Sequence, residues 1–143
     1  MKTEYTPEYL ARMSAGDFEE CREAGHEFRR DLTHAVMVLL SIPDSWVMNG
    51  EYHGEFGGLF PVQVRFAPQH GRFRFALCSP GEISDRWLLL LISADGRSVT
   101  CVRDCSQFEP EMFSAALRLA ATLDDEGYNL CYILAILTGE GVE

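Results

Sequence analysis

Apolar residues recur along this chain in two rhythms, and the change of rhythm divides it into three parts. In the first third Phe18, Cys21, Gly25, Phe28, Leu32, Ala35 and Leu39 follow at spacings of three and four, one stripe of a helix with 3.6 residues per turn. A shorter helix precedes it. Thr6-Pro7-Glu8 sets a hydroxyl cap, a proline in the first turn and an early carboxylate in line, and this helix runs to about Met13. Ser14 with Asp17 marks the next start. Gly25 is the weak point of the long helix, costing about 1 kcal/mol against alanine, and Pro43 closes it.

The middle keeps a period of two. Val62, Val64 and Phe66 alternate with Gln63 and Arg65, while Phe73, Phe75 and Leu77 follow Arg72 and enclose Arg74. Such alternation makes strands with one buried and one solvated face. Strands are predicted near 51–56, 61–67, 72–78, 87–93 and 98–103, after a turn at Asn49-Gly50. Gln69-His70-Gly71 reads as one hairpin loop and Ala94-Asp95-Gly96-Arg97 as another, its Asp-Gly suited to a type I′ turn. Trp87–Ile92 is apolar throughout, as a strand covered on both faces should be. Trp46-Val47-Met48 reads as a cover for the sheet edge.

The last third returns to the helical period. Met112, Phe113, Ala116, Leu117, Ala120 and Leu123 form a stripe after Pro110. Asp124-Asp125-Glu126 is unfavourable at a helix C-terminus and favourable at the next N-terminus, so a break is expected there. A short apolar helix then covers 127–138, closed by Gly139, with a strand as the alternative. The expected fold is α+β. It is a single domain over residues 1–143, with an antiparallel four- to five-stranded β-meander flanked by N-terminal and C-terminal helices in the order α-α-β-β-β-β-β-α-α.

Composition changes this picture little, and charge changes it more. A chain of 143 residues with 47% hydrophobic content can build a core without disulfides or metal. The N-terminal residues show no apolar leader, and neither Trp87–Ile92 nor Leu130–Leu137 approaches the ~20 residues of a membrane span. A cytoplasmic protein is expected. The net charge is −10, but it is segregated. Residues 1–59 hold 5 basic and 11 acidic residues, 60–103 hold 6 and 3, and 104–143 hold 1 and 8. The helical ends are acidic and the sheet is basic by itself.

Several constellations compete for chemistry. Cys101-x-x-x-Cys105 is the nearest approach to a metal motif, yet zinc wants four converging ligands, and no metal or cofactor is expected. Cys105 or Cys78 with His70 offers a nucleophile and base only if the fold joins them. His26 and His34 lie two turns apart on one helix, too far to share an ion. Gly54-Glu55-Phe56-Gly57-Gly58 has no helix behind it to hold phosphate. The cysteines, five in number and scattered, read as buried thiols.

Three functional readings follow. The first is a non-enzymatic protein-binding module: an acidic adaptor or inhibitor, of immunity or phage anti-defence type. It would engage a protein with a basic surface, such as a nucleic-acid-binding one, through Glu19, Glu20, Glu23 and Glu27 or Asp124, Asp125 and Glu126. Direct nucleic-acid binding is excluded by charge. The second is an anion-binding domain or enzyme using Arg65, Arg72 and Arg74. The third is a homodimer through an edge strand or the apolar final helix.

Overall fold

A computed structural model describes residues 6–24, 26–50 and 59–139, with only the backbone described at Arg22, Ala24 and residues 26–28. Helix α1 (Pro7–Arg12) starts as its sequence dictates, the Thr6 hydroxyl accepting the Tyr9 N–H at 3.1 Å. Helix α2 (Ala15–Ala24) opens on a reciprocal capping box. The Ser14 hydroxyl accepts the Asp17 N–H at 3.2 Å, and the Asp17 carboxylate accepts the Ser14 N–H at 2.9 Å, so two orphan donors are satisfied at once. Helix α3 spans His26–Val38; the expected weak point at Gly25 lies outside the described residues.

Five strands follow: β1 (Trp46–Gly50), β2 (Gln63–Pro68), β3 (Phe73–Cys78), β4 (Trp87–Ser93) and β5 (Val99–Cys105). They pair antiparallel in chain order, a meander. Two local expectations are corrected. Asn49 and Gly50 do not turn the chain; they pair with Arg65 and Val64, and Trp46–Met48 belongs to the edge strand itself. Tertiary packing explains this, since the buried Trp46 indole lies 5.8 Å from both Phe73 and Phe75. The strand predicted near 51–56 and the glycines at 54, 57 and 58 lie outside the described residues. The β4–β5 hairpin is not type I′ either, because only Gly96 takes a positive φ, 75°, while Asp95 does not. The Gly96 N–H closes on the Ser93 carbonyl at 2.9 Å, a type I turn followed by a left-handed glycine.

Helix α4 (Pro110–Asp125) and helix α5 (Leu130–Thr138) follow, so the last described segment is helical, as its apolar pattern predicts. Alternation along the strands sorts the sheet into two faces. One packs Val64, Phe66, Phe75, Leu77, Trp87, Leu89 and Leu91 against helix residues including Leu10, Phe18, Leu32, Phe113 and Leu117. The other buries a smaller set, Phe60, Ala76, Cys78, Leu90 and Ile92. Helices from both termini therefore share one face, joined where the Ser41 N–H donates to the Ser114 hydroxyl at 3.0 Å. No helix among the described residues is long and apolar enough to cross a membrane.

The meander also defines two ends. The β2–β3 and β4–β5 hairpins share one, here the hairpin end, and the β3–β4 loop sits at the other. Helix α4 starts at the loop end, with Phe113 6.5 Å from Trp87. Its 16 residues, about 24 Å of helix, carry it to the hairpin end.

Candidate functional site

The candidate acids with described side chains fall at both ends of this frame, separated by the length of a strand, roughly 20 Å. At the loop end, Glu19 of α2 accepts the Glu82 N–H at 2.8 Å. Gly81 makes this approach possible, because a Cβ there would meet Glu19 Oε2 at 2.5 Å. Glu19 is thus a tie between α2 and the β3–β4 loop. Glu20 and Glu23 are exposed and, among the described residues, carry no ion pair; the Glu27 side chain lies outside the described residues.

At the hairpin end the same division recurs. Asp124, 9% exposed, accepts from His70 Nε2 at 2.6 Å and from Arg72 Nη2 at 3.2 Å. The backbone N–H of Arg72 donates to His70 Nδ1 at 2.9 Å, which leaves the proton of the neutral ring on Nε2, aimed at the carboxylate. Asp125 and Glu126 beside it are exposed.

The helix turn that carries these acids is closed by hydrogen bonds at both sides. Tyr128 N–H reaches the Leu123 carbonyl at 3.1 Å and Gly127 N–H the Asp124 carbonyl at 3.0 Å, the Schellman pattern with Gly127 at φ 91°. Two residues on, the Asn129 side chain caps α5 by accepting the Tyr132 N–H at 2.9 Å. This double cap stacks Tyr128 on Tyr132, ring centroids 4.3 Å apart and planes 19° off parallel. Between the turn and the β2–β3 hairpin opens a crevice of about 420 Å³, lined among others by Arg72, Phe73, Asp124, Tyr128, Leu130 and Ile133.

The arginines of the sheet do not form one cluster. Arg72 turns to Asp124, whereas Arg74 donates to the Ser93 and Ala94 carbonyls, each at 3.1 Å. Arg65 sits half-buried on β2, in register with Ala76. Arg103 donates to the Leu137 carbonyl, completing the C-terminal end of α5, and Arg29 reaches the Pro61 and Phe60 carbonyls at 2.7 and 2.9 Å.

The thiols are likewise dispersed, and only Cys78 and Cys105 are buried as expected, while Cys101 and Cys131 are exposed. Cys101 pairs with Leu90 and Cys105 with Trp87, so the two point to opposite sheet faces and share no ligand position. Burial pushes the Cys105 thiol up to about 12, with Glu109 adding to the shift, and burial also raises Cys78. Such thiols are poor nucleophiles near neutral pH. His70 is committed to Asp124 and faces neither.

Sequence reasoning missed the tyrosine stack and the His70–Asp124 contact. The Tyr128-x-x-x-Tyr132 spacing around an Asn cap was the available signal for the first. The second bridges 54 positions and leaves no local trace.

An acidic α+β domain with preorganised surface features at a helix turn is the class that these elements define. The chain belongs to the plasmid SOS inhibition protein (PsiB) family, whose pattern matches residues 4–141. It is accordingly a protein of the inhibitor type.

Proposed function

We propose that the chain inhibits the SOS response by docking on a protein that mounts it, presenting exposed carboxylates to a basic, nucleic-acid-binding surface of that partner. The observation that supports this reading is how the opposite charges are disposed. Asp124 is met by His70 and Arg72, and Glu19 by the Glu82 N–H, whereas their neighbours have no ion pair among the described residues. Glu20, Glu23, Asp125 and Glu126 remain exposed. Complementary charge of this kind sets association rate and orientation more than affinity.

The test is a bacterial strain with a DNA-damage reporter, expressing the wild-type chain or charge-reversed variants. Wild type lowers reporter induction, and reversal at Asp125 and Glu126, at Glu20 and Glu23, or at both pairs relieves it. Binding of the captured partner weakens steeply as salt rises through the physiological range. Wild-type induction equal to the empty control, or salt-insensitive binding, overturns the reading.

A further inference from the structure

The structure points to a specific docking point for that partner. We propose that the crevice at the α4–α5 turn, with the Tyr128–Tyr132 stack at its mouth, receives an arginine side chain from a basic segment of a protein. The inference rests on the functional reading above and narrows it to one end of the molecule.

Three observations converge on this place. The stacked rings stay 43% and 42% exposed, although aromatic pairs of this size are usually buried in the core. The caps fix both backbones, Tyr128 in the Gly127 turn and Tyr132 at Asn129, and each ring restrains the other by stacking, so less side-chain freedom is left to lose on binding. Rigid exposed tyrosines beside a concavity are the usual anchors of protein interfaces.

The second observation concerns placement of charge. Asp124 and Asp125 occupy the last turn of α4, and Glu126 is its C-cap, where carboxylates oppose the helix dipole. Asp124 is compensated by His70 and Arg72. Asp125 and Glu126 have no ion pair among the described residues, so they break a local rule without a structural return, as functional positions do.

The third is the sign of the occupant. Asp124, which lines the crevice, is already met by Arg72 at 3.2 Å and by His70, so the uncompensated charge beside it is that of the exposed Asp125 and Glu126 on the same turn. A tyrosine face presents negative charge to a cation. A planar guanidinium suits both, stacking on the ring and forking to a carboxylate. An anion or a nucleic-acid strand meets repulsion here.

The experiment titrates the full-length chain with a hexa-arginine peptide, and with a hexa-glutamate peptide as control, following backbone amide shifts by NMR. Saturable shifts centred on Arg72, Gly127, Tyr128 and Ile133 are expected with hexa-arginine alone. They weaken about tenfold or more in Y128S/Y132S and in D125K/E126K. The lysine pair keeps a readout free of unfolding, because cations favour the α4 C-terminus and its melting temperature should not fall. Shifts centred on Glu20 and Glu23, no saturation, or wild-type affinity in both variants overturns the proposal. So does a homodimer in light scattering that Y128S/Y132S converts to monomer. In the reporter strain the two readings separate. A wild-type chain that takes up peptide here without lowering induction keeps the site and loses the functional reading. One that inhibits, with Y128S/Y132S inhibiting equally, loses the site.

Discussion

His70 Nε2 and the Asp124 carboxylate stand 2.6 Å apart, joining the β2–β3 hairpin to the end of α4. The contact is doubled by Arg72, which donates to the same carboxylate while its N–H fixes the histidine tautomer. Removing the acid breaks both contacts, although Arg72, 69% exposed, can turn to water. Asp124→Ala should therefore cost about 1 kcal/mol and lower the melting temperature by a few degrees, whereas Asp125→Ala should change stability by less than about 0.5 kcal/mol. Thermal unfolding followed by circular dichroism compares the two.

The same contrast applies at the loop end. Glu19→Ala removes the acceptor of the Glu82 N–H and is expected to destabilise by about 1–3 kcal/mol, as loss of a charged acceptor does. Glu20→Ala, one position on and exposed, should be close to neutral for stability. Urea titrations with equal m-values in all three proteins would make the comparison valid.

Gly127 at φ 91° closes the Schellman turn without a Cβ. Gly127→Ala puts a side chain into a left-handed conformation and should cost about 1–2 kcal/mol, and Gly127→Asn less. Because the turn sets the position of Tyr128, tyrosine fluorescence should change in the alanine variant even where the protein remains folded.

Asp95 sits in the β4–β5 hairpin as an acid stabilised in its charged form. The backbone N–H of Arg97, then the Ser93 hydroxyl, hold its carboxyl below the ordinary value of 3.8. A depressed folded-state value means stabilisation that is complete above the unfolded value and lost as pH falls through the folded one. The stability difference between wild type and Asp95→Asn should thus stay constant from pH 7 to about pH 5 and shrink in stronger acid. Unfolding curves over that range test it.

Thiol labelling checks the face assignment. Cys78 and Cys105 are buried with raised thiols, and Cys131 is exposed. A maleimide added to native protein at neutral pH should modify Cys131 first and reach Cys78 and Cys105 only after denaturant, as read by mass spectrometry. Rapid labelling of Cys105 would contradict its packing beside Met112, 3.9 Å away.

By itself the sequence determined the element types and the segregation of charge. Caps such as Thr6, Ser14-Asp17 and Asn129, and the two hydrophobic periods, act over three or four residues, so local order carries them. The alternation of Val64 and Phe66 with Arg65 was enough to predict a meander with one main buried face. The tertiary structure alone decided that Trp46–Gly50 is the edge strand, because the indole needs Phe73 and Phe75 to be buried. It also decided which acids are internal ties and which face solvent. Glu19 and Glu20, or Asp124 and Asp125, are indistinguishable as neighbours in a charged run. Their partners lie 63 and 54 positions away, and only folding of the sheet against both helical ends brings those partners within reach.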